Sequence, residues 1–202
     1  MIPIAVSQRV EVVAAHGERR DALDQRWTAF LAACGLLAVA MPNQPDGALA
    51  LARATGARGL LLTGGNDLVA YGGDAPERDD TEMALIEHAA SLNLPVLGVC
   101  RGMQVIQHRH GVKLHAVEGH VAPSQRVAID GAWHLVNSYH RFAAADSVEA
   151  LEVWARAEDG VIEAVRHRHR PMVGIMWHPE RIEPFAARDL ALFRRLFASA
   201  AI

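Results

Sequence analysis

The sequence predicts an α/β fold, an open and mostly parallel sheet with helices on both faces and a small antiparallel portion. Three observations carry this. Short apolar runs at residues 2–6, 36–41, 59–63 and 94–99 alternate with stretches of helical periodicity, as parallel strands buried on both faces do. Strands drawn from this pattern end in Gly64-Gly65, in Cys100 and in His178-Pro179-Glu180, and ligands bind at the carboxyl ends of parallel strands. Beyond Gly111 the runs shorten and partly alternate, which suits antiparallel pairing.

In order, residues 2–6 form a first strand, followed by a charged segment at 9–26. From about Asp21, Leu23, Trp27, Phe30 and Leu31 recur at helical spacing, with Gly35 as the stop and Cys34 as a small buried residue in the last turn. A strand at 36–41 is halted by Pro42-Asn43, a short helix covers 47–54, and the strand at 59–63 runs into Gly64-Gly65. A loop at 68–77 leads to a helix over 78–92 whose acidic start, Asp79, Asp80 and Glu82, suits the helix dipole. The strand before Cys100 is followed by a helix carrying Val105 and Ile106 inward and ending near Gly111. Runs at 126–130, 133–138, 151–157 and 161–167 make the antiparallel portion, with Glu158-Asp159-Gly160 as a hairpin signal. Residues 173–177 form a final strand, and a helix over 184–200 closes the chain with Phe185, Leu190, Phe193, Leu196 and Phe197 on one face.

A chain of 202 residues without a Pro- or Ser-rich linker is expected to be a single domain over 1–202. The net charge of −3, with no block of like sign, argues against a nucleic-acid polymer or a membrane surface as partner and for a small soluble substrate. Two cysteines are too few for a disulfide framework, and neither a secretory leader nor a membrane span is visible, so a cytoplasmic protein is expected.

The chemistry centres on Cys100. A sharp strand-to-helix turn lifts one side chain above a sheet, and Gly98 and Gly102 permit that bend here. At a helix N-terminus the dipole and unpaired N–H groups favour a thiolate. His178 and Glu180, two apart in what reads as an extended segment, supply a general base and the carboxylate that orients it. The backbone N–H groups of Arg101 and Gly65 are the expected oxyanion donors. No Gly-Lys-Ser/Thr follows Gly64-Gly65, so that turn is not a phosphate loop.

Gly64-Gly65, the segment Gly98-Val99-Cys100-Arg101-Gly102-Met103-Gln104, Val136-Asn137-Ser138-Tyr139-His140 and Trp177-His178-Pro179-Glu180, in that order, resemble the class I glutamine amidotransferase domain of the γ-glutamyl hydrolase type, whose sheet is flavodoxin-like. The resemblance implies a Cys100-His178-Glu180 triad working through a γ-glutamyl thioester. It also implies that Gln104, Asn137, Ser138, Tyr139 and His140 bind the α-amino and α-carboxylate ends of the glutamyl group. Within that family, Arg9-Val10-Glu11, Glu18-Arg19-Arg20-Asp21, Gly64-Gly65-Asn66-Asp67-Leu68, Arg78-Asp79 and Gly174-Ile175-Met176-Trp177-His178 are similar to the bacterial γ-glutamyl-CDP-amidate hydrolases. This narrower likeness implies cleavage of a γ-glutamyl phosphoramidate to glutamate and cytidine diphosphoramidate, which goes on to modify surface (capsular) polysaccharide. Arg9, Arg19 and Arg20 then become candidate diphosphate ligands.

Two other readings of the same residues are a general γ-glutamyl peptide or amine hydrolase and a glutaminase subunit feeding ammonia to a separate synthase chain. A binding relative that no longer hydrolyses is disfavoured by the intact His178-Pro179-Glu180. Neither a cofactor nor a metal is expected: among eleven histidines, His108, His110, His115, His120, His167 and His169 are the candidate ligands, but no zinc-binding spacing appears. A homodimer is compatible with the sequence.

Overall fold

The computed structural model describes residues 1–198 in two compact units, Met1–Val96 with the described part of Pro179–Ile202, and Leu97–His178. The first begins with β1 (Ile2–Val6), β2 (Arg9–Val13), β3 (Glu18–Ala22), α1 (Arg26–Ala33), β4 (Leu36–Ala40), α2 (Pro45–Ala54), β5 (Leu60–Leu62) and α3 (Pro76–Ser91). β1 lies between β4 and β5 and is parallel to both, with Ile4 opposite Ala38 and Ala5 opposite Leu60. Ile4, Val6, Leu60, Leu61 and Leu62 are all buried, as the continuous apolar runs require.

The charged segment after β1 is not featureless. It folds back as the β2/β3 hairpin, with Val10 opposite Asp21, Glu11 opposite Arg20 and Val12 opposite Arg19. The chain turns through a 3-10 segment, Ala14–His16, and Gly17. β3 carries four charged residues and almost no apolar signal, so its strand character comes from pairing with β2, including the opposite-charge Glu11/Arg20 pair. This hairpin also moves the start of the next helix from Asp21 to Arg26. Asp21 instead accepts hydrogen bonds from the Asn43 backbone and side chain, at 3.0 and 2.7 Å. Asp24 accepts from the Arg26 backbone N–H at 3.0 Å and binds its guanidinium, which holds the Asp24 carboxyl down at about 2.

Cys34 caps α1 as a buried free thiol, pushed up to about 11 by burial. Trp27 and Phe30 of α1 meet Phe193 in tilted and edge-on contacts, at centroid distances of 6.3 and 4.8 Å.

The second unit holds β6 (Val96–Val99, which begins in the first), α4 (Arg101–Arg109), β7 (His115–Ala116), β8 (Val121–Ile129), β9 (Ala132–Tyr139), β10 (Phe142–Ala143), β11 (Leu151–Ala157), β12 (Ile162–His167) and β13 (Met172–Ile175). Six strands lie side by side in the order β6-β13-β12-β11-β8-β9, and β7 pairs separately with β10. The expected antiparallel portion comprises the pairings of β8 with β9, β8 with β11, β11 with β12 and β12 with β13. Glu158-Asp159-Gly160 does turn β11 into β12, closed by Ala157 N–H to Val161 O at 2.9 Å.

α5 (Ala187–Ala198) returns to the first unit; it starts three residues later than the expected 184, and the expected end at 200 lies outside the described residues. Among the described residues no helix is long and apolar enough to cross a membrane.

The bend from β6 into α4 depends on Gly98. A Cβ there would stand 2.4 Å from the Gly102 carbonyl carbon and oxygen and 2.7 Å from the Met103 nitrogen, all backbone atoms that cannot swing away. Gly98→Ala is therefore expected to lower stability by roughly 2–3 kcal/mol, read as a lower denaturant midpoint. An unchanged midpoint would show that α4 can shift along β6 at no cost.

Candidate functional site

Cys100 occupies the corner between β6 and α4 with φ 52° and ψ −105°, a conformation that L-residues with a side chain rarely adopt. Its backbone is locked on both sides. The Cys100 N–H donates to Ile175 O at the end of β13 at 2.8 Å, and its carbonyl accepts the first α4 bond from Gln104 N–H at 3.1 Å. Its thiol lies 4.0 Å from the Tyr139 carbonyl oxygen. Arg101 follows as the first residue of α4, so its N–H is one of the helix-start donors.

His178 is brought to the same neighbourhood through β9. The Asn137 side chain binds the His178 backbone twice, accepting its N–H at 2.7 Å and donating to its carbonyl at 2.9 Å. The Tyr139 ring then lies edge-on to the His178 ring at 5.8 Å. Tyr139 thus touches both Cys100, by its carbonyl, and His178, by its ring. Beyond His178 the chain is not extended as expected: Pro179–Arg181 turn as a 3-10 segment, and buried Glu180 pairs with Arg181 at 3.2 Å.

The other residues implied for glutamyl binding are mostly engaged within the protein. Gln104 donates to Phe142 O at 2.8 Å, Ser138 donates to His120 O at 2.7 Å, and the buried His140 ring lies between Phe142 O and Glu163. Tyr139 is the one of the five with an exposed side chain.

In the first unit, Gly65 adopts φ +88°, and the Arg9 side chain packs where a Cβ would project, with Cδ 2.8 Å away. The turn after β5 is held by Arg78, a fully buried arginine that the residue pattern did not single out as functional. Its guanidinium donates to the carbonyls of Thr63 at 2.8 Å and Gly64 at 3.1 Å, and also to Gly65 O. Its Nε pairs with buried Glu82 one turn later at 2.9 Å. The sequence signals for Arg78 are its place in the Arg78-Asp79 segment of the narrower resemblance and its spacing of four from Glu82 on one helix.

Arg9, Arg19 and Arg20 all lie on the β2/β3 hairpin, each in an exposed ion pair: with Glu11 at 2.5 Å, with Glu77 at 2.6 Å and with Glu18 respectively. Pairing with Glu77 raises the Arg19 guanidinium and lowers the Glu77 carboxyl.

Comparison with known proteins agrees with this architecture. The chain is 35% identical over 126 residues to the γ-glutamyl-CDP-amidate hydrolase of Campylobacter jejuni, covering 61% of this chain and 62% of that protein. It is 32% identical over 152 residues to a γ-glutamyl-γ-aminobutyrate hydrolase of Escherichia coli, covering 60% and 58%. The chain thus spans about three-fifths of the length of these curated relatives. The glutaminase domain of Trypanosoma brucei CTPS, solved with bound acivicin, superposes with a TM-score of 0.69 at 16% identity, covering 100% of this chain and 94% of that one. At that identity the match shows the fold alone, the mixed and mostly parallel sheet with helices that the sequence predicts. The Peptidase C26 family model matches residues 1–130 and 125–180, which include Cys100, the Asn137 clamp and His178, and the chain belongs to that family.

Proposed function

We propose that the chain hydrolyses γ-glutamyl amide bonds, with Cys100 as nucleophile, His178 as general base and acid, and Glu180 orienting His178. The observation that carries this is the strained Cys100 elbow at the head of α4, with Tyr139 against both its thiol and the His178 ring. The Cys100 thiolate attacks the γ-carbonyl carbon, and the C–N bond breaks as His178 passes a proton to the departing nitrogen. His178 then takes a proton from water, which attacks the thioester and releases glutamate and the thiol. The Arg101 and Gly65 N–H groups are the donors we assign to the tetrahedral oxyanion. Asn137 serves this chemistry by holding the His178 backbone at both its N–H and its carbonyl.

For the leaving group we favour cytidine diphosphoramidate, from γ-glutamyl-CDP-amidate, destined for surface polysaccharide. Similarity to the Campylobacter jejuni enzyme supports this, as does the hairpin carrying Arg9, Arg19 and Arg20 with Arg9 packed over Gly65. Exposed ion pairs such as these are weak and screened by solvent, so a diphosphate can replace the carboxylates. A general γ-glutamyl amine hydrolase is the second reading, favoured by the similarity to γ-glutamyl-γ-aminobutyrate hydrolase.

The test is glutamate release by the purified chain from γ-glutamyl-CDP-amidate, a γ-glutamyl amine and free glutamine. Preference for the nucleotide is expected, and preference for the amine would select the second reading. Silence on all three would sink a stand-alone hydrolase and point to a glutaminase that needs a synthase partner.

A further inference from the structure

The second unit buries a group of side chains that the proposed hydrolysis does not use. His120 precedes β8, His140 follows β9 and Glu163 lies in β12, and all three are buried. One ligand atom from each lies within 4.8 Å of the others. His120 Nδ1 stands 3.1 Å from Glu163 Oε1, and His140 Nε2 stands 3.3 Å from the same oxygen. In a tetrahedral zinc site with metal–ligand bonds of about 2.0–2.1 Å, neighbouring ligand atoms are about 3.3 Å apart.

The outward nitrogens complete the pattern. His120 Nε2 lies 2.9 Å from Asp159 Oδ2, and His140 Nδ1 lies 3.2 Å from Phe142 O. A histidine ligand holds a metal through one nitrogen while the other donates to a carboxylate or a backbone carbonyl, and both rings are set up in this way. Proton counting points in the same direction. A neutral imidazole has one N–H and one lone pair, yet all four ring nitrogens here face an acceptor oxygen. The two rings stand side by side, with centroids 4.7 Å apart. A divalent ion at the focus would take the inner lone pair of each ring while the outer nitrogen donates to its oxygen.

Two further atoms are left over around the focus. Glu163 Oε2 and Gln125 Oε1 are buried with no hydrogen-bond partner among the described residues. The Gln125 amide nitrogen is 2.9 Å from His120 Nδ1, so exchanging the amide ends turns an oxygen to the same point.

We propose that His120 Nδ1, His140 Nε2 and the Glu163 carboxylate bind one first-row divalent transition metal of the zinc type, with Gln125 able to supply a fourth ligand. Two imidazoles select such a metal over magnesium or calcium. The role is positional. The ion ties together the ends of β8, β9 and β12, and His140 shares Phe142 O with Gln104, one turn after Cys100. This departs from the expectation that the chain uses no metal; of the histidines considered from spacing, His120 alone belongs to the site.

The test is titration of chelator-treated Cys100→Ala protein with cobalt(II). That background removes the Cys100 thiol as a competing metal ligand and makes the readout independent of hydrolysis. Binding of one equivalent, with the visible d–d bands of a nitrogen and oxygen site, displacement by zinc and a higher Tm on loading are expected. His120→Gln and Glu163→Gln, each checked for folding by near-ultraviolet circular dichroism, should lose that equivalent. Absence of stoichiometric binding in the Cys100→Ala protein, or its retention in either folded variant, would overturn the proposal and leave the cluster as a proton-bonded network.

Discussion

Cys100→Ala is expected to lower glutamate release by about four orders of magnitude or more, the loss seen when a covalent nucleophile is removed from an enzyme that works through one. The fold should survive. Among the described residues the thiol's one hydrogen-bond-range contact is the long 4.0 Å approach to Tyr139 O, whereas the bonds that set the elbow, to Ile175 O and from Gln104 N–H, are backbone bonds that alanine keeps. Cys100→Gly sharpens the test. At φ 52° and ψ −105° a residue with a Cβ stores about 1–3 kcal/mol of strain that glycine escapes. The glycine variant should therefore be as inactive as the alanine variant and no less stable, measured by glutamate release and by denaturant midpoint. Parental turnover in either variant would remove Cys100 from the chemistry. His178→Ala should lose nearly as much activity, and Glu180→Gln less, because the role proposed for Glu180 is to orient His178 rather than to touch the substrate.

Arg78→Ala is expected to cost about 3–5 kcal/mol of stability, the range for breaking a buried ion pair from one side. Glu82 would be left as a buried carboxylate without its guanidinium, and the Thr63, Gly64 and Gly65 carbonyls would lose their shared donor. Arg78→Lys should not rescue, since an ammonium cannot span a carboxylate on one side and several carbonyls on the other. The informative variant is Arg78→Met with Glu82→Leu. Replacing both charges by apolar groups should restore most of the stability. Turnover should stay depressed through kcat rather than KM, because the Gly65 N–H is no longer held by the carbonyl side of its turn. Full recovery of kcat in the double variant would limit Arg78 to a stabilising role.

What could be read from the sequence was whatever neighbours along the chain decide. Apolar runs separated by helical periods marked the strands β1, β4, β5 and β6, and Gly98 and Gly102 around Cys100 marked a bend into α4 that the backbone angles display. The hairpin at Glu158-Asp159-Gly160 was legible for the same reason, because its turn chemistry is contained within it. β3 was not, since Glu18-Arg19-Arg20-Asp21 becomes a strand only by pairing with β2.

The sequence by itself determined the α/β class and the family, and it singled out Cys100 as the candidate nucleophile. Tertiary structure alone decided the partners of buried polar groups that lie far apart along the chain. Asn137 and His178 are 41 positions apart, and His120 and Glu163 are 43 apart. No local pattern links residues at such separations. A buried polar atom must find a partner wherever the fold supplies one, and that choice is made only when the strands are side by side.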